Sequence, residues 1–149
     1  MPHGRNPESD KRKRQIVLEL QNRVGVLEKK FPNRPDWYLS AADKIEIFIT
    51  DSKSHGGRRT WFDMANSDIK ALASHPAGFI IFVLGYADNF LVVPAKDLAA
   101  QLRNYHGNLT EDGRYHFNLN KRGNEFEQLP NWDLHPYADS FEMIPKVIV

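Results

Sequence analysis

The sequence predicts an α+β domain: a mixed central sheet built from two hairpins, with flanking helices. Three observations predict it. Ile45, Ile47 and Ile49 alternate with Glu46, Phe48 and Thr50, a period of two that marks a strand with one strongly apolar face. Residues 79–84 (FIIFVL) form a β-rich apolar run, followed by the turn signal Ala87-Asp88-Asn89 and a second apolar run at 90–93. Residues 11–30 and 95–105 instead carry apolar side chains at three- and four-residue spacing, as helices do.

Residues 1–10 hold Pro2, Gly4 and Pro7 and few apolar side chains, which predicts a disordered basic arm ahead of a single domain over residues 11–149. Ile16, Leu20, Val24 and Leu27 define the first helix, with Ser9 or Asp10 able to cap it, Gly25 weakening it, and Pro32 and Pro35 ending it. Trp37-Tyr38-Leu39 reads as a short strand. Gly56-Gly57 turns the strand at 45–50 into a return strand at 58–64. Asn66 or Ser67 caps a short helix through Ala73, with Asp68 at its positive end. The apolar run at 79–84 reads as a central strand, and its hairpin partner ends at Pro94. The next helix, at 95–105, gathers Leu98, Leu102 and Tyr105 on one side. Tyr115, Phe117 and Leu119 mark a further strand, and 121–131 is a loop. A short helix around Tyr137 and an edge strand at 141–144 close the chain.

Composition narrows the class. The chain of 149 residues is 41% apolar and 26% charged, with a mean hydropathy of −0.56, as expected of an ordinary soluble domain. No apolar run approaches the roughly 18 residues of a spanning helix, so no membrane association is expected. The absence of cysteine excludes disulfides, thiolate metal sites and a thiol nucleophile. No apolar core follows the basic N-terminal residues, so a secretory signal is not expected and the expected location is cytoplasmic. Residues 1–30 hold eight Lys or Arg against four acids, a local charge of +4 in a chain of +1. Such asymmetry suits a polyanionic partner, here DNA, or else simply solvates the N-terminus.

Two constellations carry candidate chemistry. Lys53, His55, Arg58 and Arg59 cluster around Gly56-Gly57, and Trp61 follows. Glycines admit close approach, arginine forks match phosphates and guanine edges, and an aromatic ring stacks on bases. Arg114, Lys121 and Arg122, with Tyr115-His116-Phe117-Asn118, make a second basic and aromatic stretch. The plain alternatives are solvated turns with a packed Trp61. The second constellation is Asp43, seven intervening residues, then Asp51-Ser52-Lys53, with Glu46 between them. Asp43 and Asp51 would hold Mg2+ and Lys53 would steady the attacking water or the phosphate; no cofactor is expected otherwise. The six histidines show no metal-ligand spacing.

The stretches KIEIFITDSKSHGGRRTWFDM and GFIIFVLGYADNFLVVPAKDLAAQL, with WDLHPYADSFEMIP near the end, resemble restriction-endonuclease-like domains of the PD-(D/E)XK superfamily over about residues 43–102 and the tail. The resemblance implies a restriction-endonuclease-like fold and a DNA-binding role in prokaryotic restriction or defence, alone, as a homo-oligomer or within a larger restriction assembly. This chain departs from the pattern at Glu46-Ile47-Phe48, where phenylalanine stands in place of the lysine. The first expectation is therefore a DNA-binding module without its own catalysis. The alternatives are a Mg2+-dependent endonuclease with the motif displaced to Asp51-Ser52-Lys53, and a protein–protein adaptor or immunity-type factor.

Overall fold

Gly25 sets the first boundary of the structure. Helix α1 (Pro7–Val24) ends there because Gly25 takes φ +78°, a left-handed conformation open to glycine, and its N–H donates to the Gln21 carbonyl at 3.0 Å. The chain then enters an antiparallel hairpin, β1 (Leu27–Phe31) and β2 (Arg34–Ser40), around Pro32-Asn33. Residues 27–30, expected as the end of the helix, are therefore strand. Residues 7–10, expected in a disordered arm, open the helix instead. The computed structural model describes residues 7–52, 60–84 and 89–147, with side chains from Asp10 onward.

Five strands form the main sheet in the order β1-β2-β3-β5-β6, with β3 (Glu46–Asp51), β5 (Gly78–Val83) and β6 (Phe90–Pro94). Strands β3 and β5 run parallel and the other neighbours antiparallel, so the sheet is mixed. A parallel pair needs a crossover. Here it passes through β4 (Trp61–Ala65) and helix α2 (Asn66–Ser74). Gly78 permits the return: a Cβ there would lie 2.0 Å from the Leu72 carbonyl oxygen of α2, so no other residue fits without moving backbone.

The hairpin expected across Gly56-Gly57 does not form within the sheet. Both edges of β3 are taken, by β2 and β5. Strand β4 pairs instead with β7 (Arg114–Asn118), as a separate antiparallel ribbon with Phe62 opposite Phe117. The second expected hairpin is present as β5–β6. Helix α3 (Ala95–Gln101) follows and tightens into a 3-10 turn at Leu102–Asn104. A 3-10 turn at His135–Tyr137 stands where a short helix was expected. Residues 141–144 are not an edge strand: β6 is met by a single bridge, Leu91 to Ala138, and Phe141 stacks on Phe90 at 4.9 Å. The first position before α2 is Ala65, so neither Asn66 nor Ser67 caps that helix, and Asp68 is bound by Arg34.

Period-two alternation in β5 divides the core into two layers. Phe79, Ile81 and Val83 join Ile47, Ile49 and the α1 stripe Ile16, Leu20 and Val24. Burying each stripe residue contributes about 1.5–3 kcal/mol, which holds an otherwise highly charged helix on the sheet. Ile80 and Phe82 face the other way, toward Ile69 and Leu72 of α2, Leu98 of α3, and Phe62, Phe117 and Phe126. No helix among the described residues is long and apolar enough to cross a membrane.

Candidate active site at the carboxyl end of strand β3

Lys13 continues the buried stripe of α1 one turn ahead of Ile16, and a lysine there must find a counter-charge. It finds two. Its Nζ lies 3.1 Å from Asp36 Oδ2 on β2 and 3.1 Å from Asp51 Oδ1 at the end of β3. The register explains the meeting. Trp37 stands opposite Phe48 and Tyr38 opposite Ile47, so Asp36 emerges at the end where β3 finishes. Alternation then puts Asp36 and Tyr38 of β2, and Ile47, Ile49 and Asp51 of β3, on the α1 side.

The ammonium is 14% exposed and the carboxylates 32% and 28%, so the triad is shielded but open to solvent on one side. Burial by itself lowers the Lys13 pKa, but the charges of Asp51 and Asp36 and their hydrogen bonds outweigh it and hold it above the ordinary 10.5. Neighbouring Tyr38 is also raised, first by burial and then by the Asp36 charge, with Lys13 partly offsetting both. The backbone beneath is fixed: the Ser52 N–H donates to the Val83 carbonyl at 3.1 Å, and Arg12 Nη1 donates to the Leu84 carbonyl at 2.7 Å. The start of β2, the end of β3 and the first half of helix α1 therefore bring three charges to one spot.

The acids expected to do chemistry from the other end of β3 are structural. Asp43 precedes the strand in a 3-10 turn at Ala41–Asp43 with φ 56°, and its side chain is 64% exposed. His75 Nδ1 accepts the Ala77 N–H, which leaves Nε2–H to donate to the Asp43 carbonyl at 2.8 Å and to Oδ1 at 3.1 Å. At roughly 3.3 Å per residue, six-residue β3 separates Asp43 from Asp51 by about 17 Å, so they cannot share a metal ion. Glu46 is 2% exposed and points to the opposite face from Asp51. Lys30 Nζ donates to both its oxygens, at 3.2 and 2.9 Å, and Trp37 Nε1 donates to Oε2 at 3.1 Å. It is a neutralised core carboxylate rather than a metal ligand.

Lys53, His55, Arg58 and Arg59 lie outside the described residues. Trp61 is half-buried and stacks on His116 across the β4–β7 ribbon, centroids 4.3 Å apart and planes at 11°, so its ring is engaged by its own fold. Arg114 Nε donates to Asp63 Oδ1, and its guanidinium charge is answered within the ribbon. The Asn118 side chain accepts from Gln128 Nε2 at 2.8 Å. Lys121 and Arg122 are exposed on a turn closed by Asn120 and Asn124. Arg122 lines a groove of about 290 Å³ with Leu84, Asn89, Leu91 and His135, beside the end of β5.

The N-terminal positive charge is also more committed than its sequence implies. Arg12, Lys13, Arg23 and Lys30 all bind carbonyls or carboxylates of the domain, while Lys11, Arg14 and Lys29 face solvent. Sequence reasoning missed Asp36 and Lys13. The signal for Asp36 was the dipeptide Pro35-Asp36, with fourteen intervening residues before Asp51-Ser52-Lys53, which spells the proline–aspartate half of the PD-(D/E)XK pattern. Lys13 had only its place in the α1 stripe. Comparison of the chain with protein-family models, curated proteins and solved structures gives no match.

Proposed function

We propose that this domain is a Mg2+-dependent DNA endonuclease of the PD-(D/E)XK type, with Asp36 and Asp51 as the cation-binding carboxylates and Lys53 as the basic member of the motif. One observation carries the proposal: side chains from β2 and β3 meet on a single positive charge, immediately before Ser52-Lys53. The donor set suits the ion. Both groups are hard oxygen donors, and Mg2+ typically takes one or two carboxylates and keeps several waters. Among the described residues no group of three or more His, Asp or Glu stands ready for a metal ion. The Lys13 ammonium stands in for a cation between the two oxygens. The mixed sheet with α1 on one face and α2 on the other supports the restriction-endonuclease-like architecture implied by the resemblance.

A bound Mg2+ would polarise a phosphodiester oxygen and generate the attacking hydroxide. The chain's own residues do the remainder. Asp36 and Asp51 would hold the ion at the sheet end, Lys53 stands two residues after Asp51 in the sequence, and exposed Lys121 and Arg122 offer charge to the DNA backbone. The test is nicking of supercoiled plasmid with Mg2+ or Mn2+. Wild type should cut, and Asp36→Asn and Lys53→Ala should not, with their folds intact by circular dichroism. Cutting by Asp36→Asn at the wild-type rate would overturn the assignment.

A DNA-binding module without cleavage is the second reading. It is favoured by Lys13, which already compensates both carboxylates. Salt-sensitive DNA binding in EDTA, with no nicking under any divalent cation, would establish it in place of the first.

A further inference from the structure

We propose that the Tyr105 hydroxyl is a built-in plug: it occupies the outer edge of β7, where a strand from a second copy of this chain would otherwise pair. The device does not depend on the carboxylates at the end of β3.

The β4–β7 ribbon has two strands, and a strand edge offers a row of N–H and C=O groups to any passing chain. Along β7, Arg114, His116 and Asn118 turn these groups away from β4. All of them are taken, and none by a strand. The Arg114 N–H donates to Thr110 Oγ1 at 2.9 Å, and its carbonyl accepts the Thr110 N–H at 3.0 Å. The Asn118 N–H donates to Gln128 Oε1 at 2.8 Å, and its carbonyl accepts the Glu127 N–H at 2.7 Å. Between them a single hydroxyl serves both groups of His116. Tyr105 Oη donates to the carbonyl at 2.8 Å and accepts the N–H at 3.2 Å. A hydroxyl donates and accepts at one atom, so it can stand in for the backbone of a neighbouring strand.

The surrounding chain is shaped to that oxygen. The Tyr105 ring meets Tyr115 and Phe117 edge-on, with centroids 4.9 and 6.0 Å apart, which sets its direction. Gly107 lies against its tip: a Cβ there would be 2.6 Å from the hydroxyl oxygen. The Gly107 backbone lies outside the left-handed region, so clearance for the tyrosine is what calls for glycine. Once freed, the edge suits a copy of itself. Two β7 strands paired antiparallel about a two-fold axis at His116 set Arg114 opposite Asn118 and Tyr115 opposite Phe117. Arg114 then meets an amide rather than a second arginine, and the aromatic rings meet each other.

The test compares wild type, Tyr105→Phe, Gly107→Ala and the double variant Tyr105→Phe, His116→Pro. Circular dichroism checks the fold, amide hydrogen exchange reads whether the edge is open, and light scattering reads the mass across a concentration series. Tyr105→Phe keeps the ring and removes the oxygen; Gly107→Ala keeps the oxygen and pushes it aside. In dilute solution each should exchange the His116 amide about tenfold faster than wild type. As concentration rises, the mass of each should double relative to wild type. His116→Pro removes the outward N–H and should return Tyr105→Phe to the wild-type mass. Faster exchange with no rise in mass would overturn the proposal, and so would unchanged exchange in Tyr105→Phe or association that survives His116→Pro. Should Gly107→Ala not fold, Tyr105→Phe carries the comparison alone. Should the proline variant not fold, the His116 amide of Tyr105→Phe decides: it must regain protection in the associated form, and failure to do so would place the contact elsewhere and overturn the plug.

Discussion

The two ends of β3 carry acids with opposite fates. At the amino end Glu46 is sealed, with three donor contacts from Lys30 and Trp37 and 2% of its surface exposed. At the carboxyl end Asp51 shares one ammonium with Asp36 and keeps more than a quarter of its side chain open. Both are paired, so pairing alone does not mark function. The difference lies in what the partner is asked to do. Lys30 and Trp37 complete a carboxylate that the fold has buried, whereas Lys13 is divided between two carboxylates that water and ions can still reach. A part-exposed acid that shares its ammonium with a second carboxylate can exchange that partner; a buried one with three donor contacts cannot without unfolding.

The sharpest break in this comparison is a pair of substitutions read in the plasmid assay. On the nuclease reading proposed above, Asp51→Asn should cost about a thousandfold in cleavage, the scale of several kcal/mol of lost transition-state stabilisation. Asp43→Asn, beyond the other end of the strand, should stay within about twofold. Next in size is Lys30→Met, which strands Glu46 in the core. Chemical denaturation should show a loss of about 3 kcal/mol, and Lys30→Met combined with Glu46→Leu should recover part of it. An equal loss in both variants would mean that Glu46 contributes packing rather than charge. Alkaline unfolding sharpens the contrast further. Lys13 titrates above its ordinary 10.5 and Tyr38 above its ordinary 10.0, so each binds its proton more tightly folded than unfolded. Their contribution is full below about pH 10 and is lost as pH rises through the folded values, at no more than about 1.4 kcal/mol per pH unit per proton. Lys13→Met should flatten part of that slope. The smallest effect belongs to Arg34→Ala. The guanidinium meets both Asp68 oxygens, at 2.9 and 2.6 Å, and lies over Trp37, but it is 41% exposed, so about 1 kcal/mol is expected from equilibrium unfolding.

What could be read from the sequence follows the range of the interactions involved. The β5–β6 hairpin was legible because its turn and both apolar runs are contiguous. Strand β4 was recognised as a strand but given the wrong partner, since Phe117 lies some fifty residues further along and no local pattern records it. The end of α1 was misplaced because Gly25 was taken as a weak point inside a helix rather than as the residue that stops it. The site failed for the same physical reason as β4. Asp51 is visible in the sequence as a candidate, but the residue that stands beside it in space is set by the β2–β3 register, and spacing along the chain points to Asp43 where the fold brings Asp36. Glu46 reads as catalytic in one dimension and proves to be sealed only once Lys30 is brought over it by the β1–β2 hairpin.

The last residues of the domain reach back to the first helix. Arg23 grips the Ile144 and Glu142 carbonyls, Val147 N–H returns to the Arg23 carbonyl, and the Ile144 side chain is fully covered. This clasp sits about ten residues, or some 15 Å along the helix axis, from Lys13. A rigid rod fastened at its far end keeps its near end in place. Loosening the tail by Ile144→Ala would therefore reach the Lys13 ion pairs without touching them, a mechanical link between the end of helix α1 and the carboxyl end of β3.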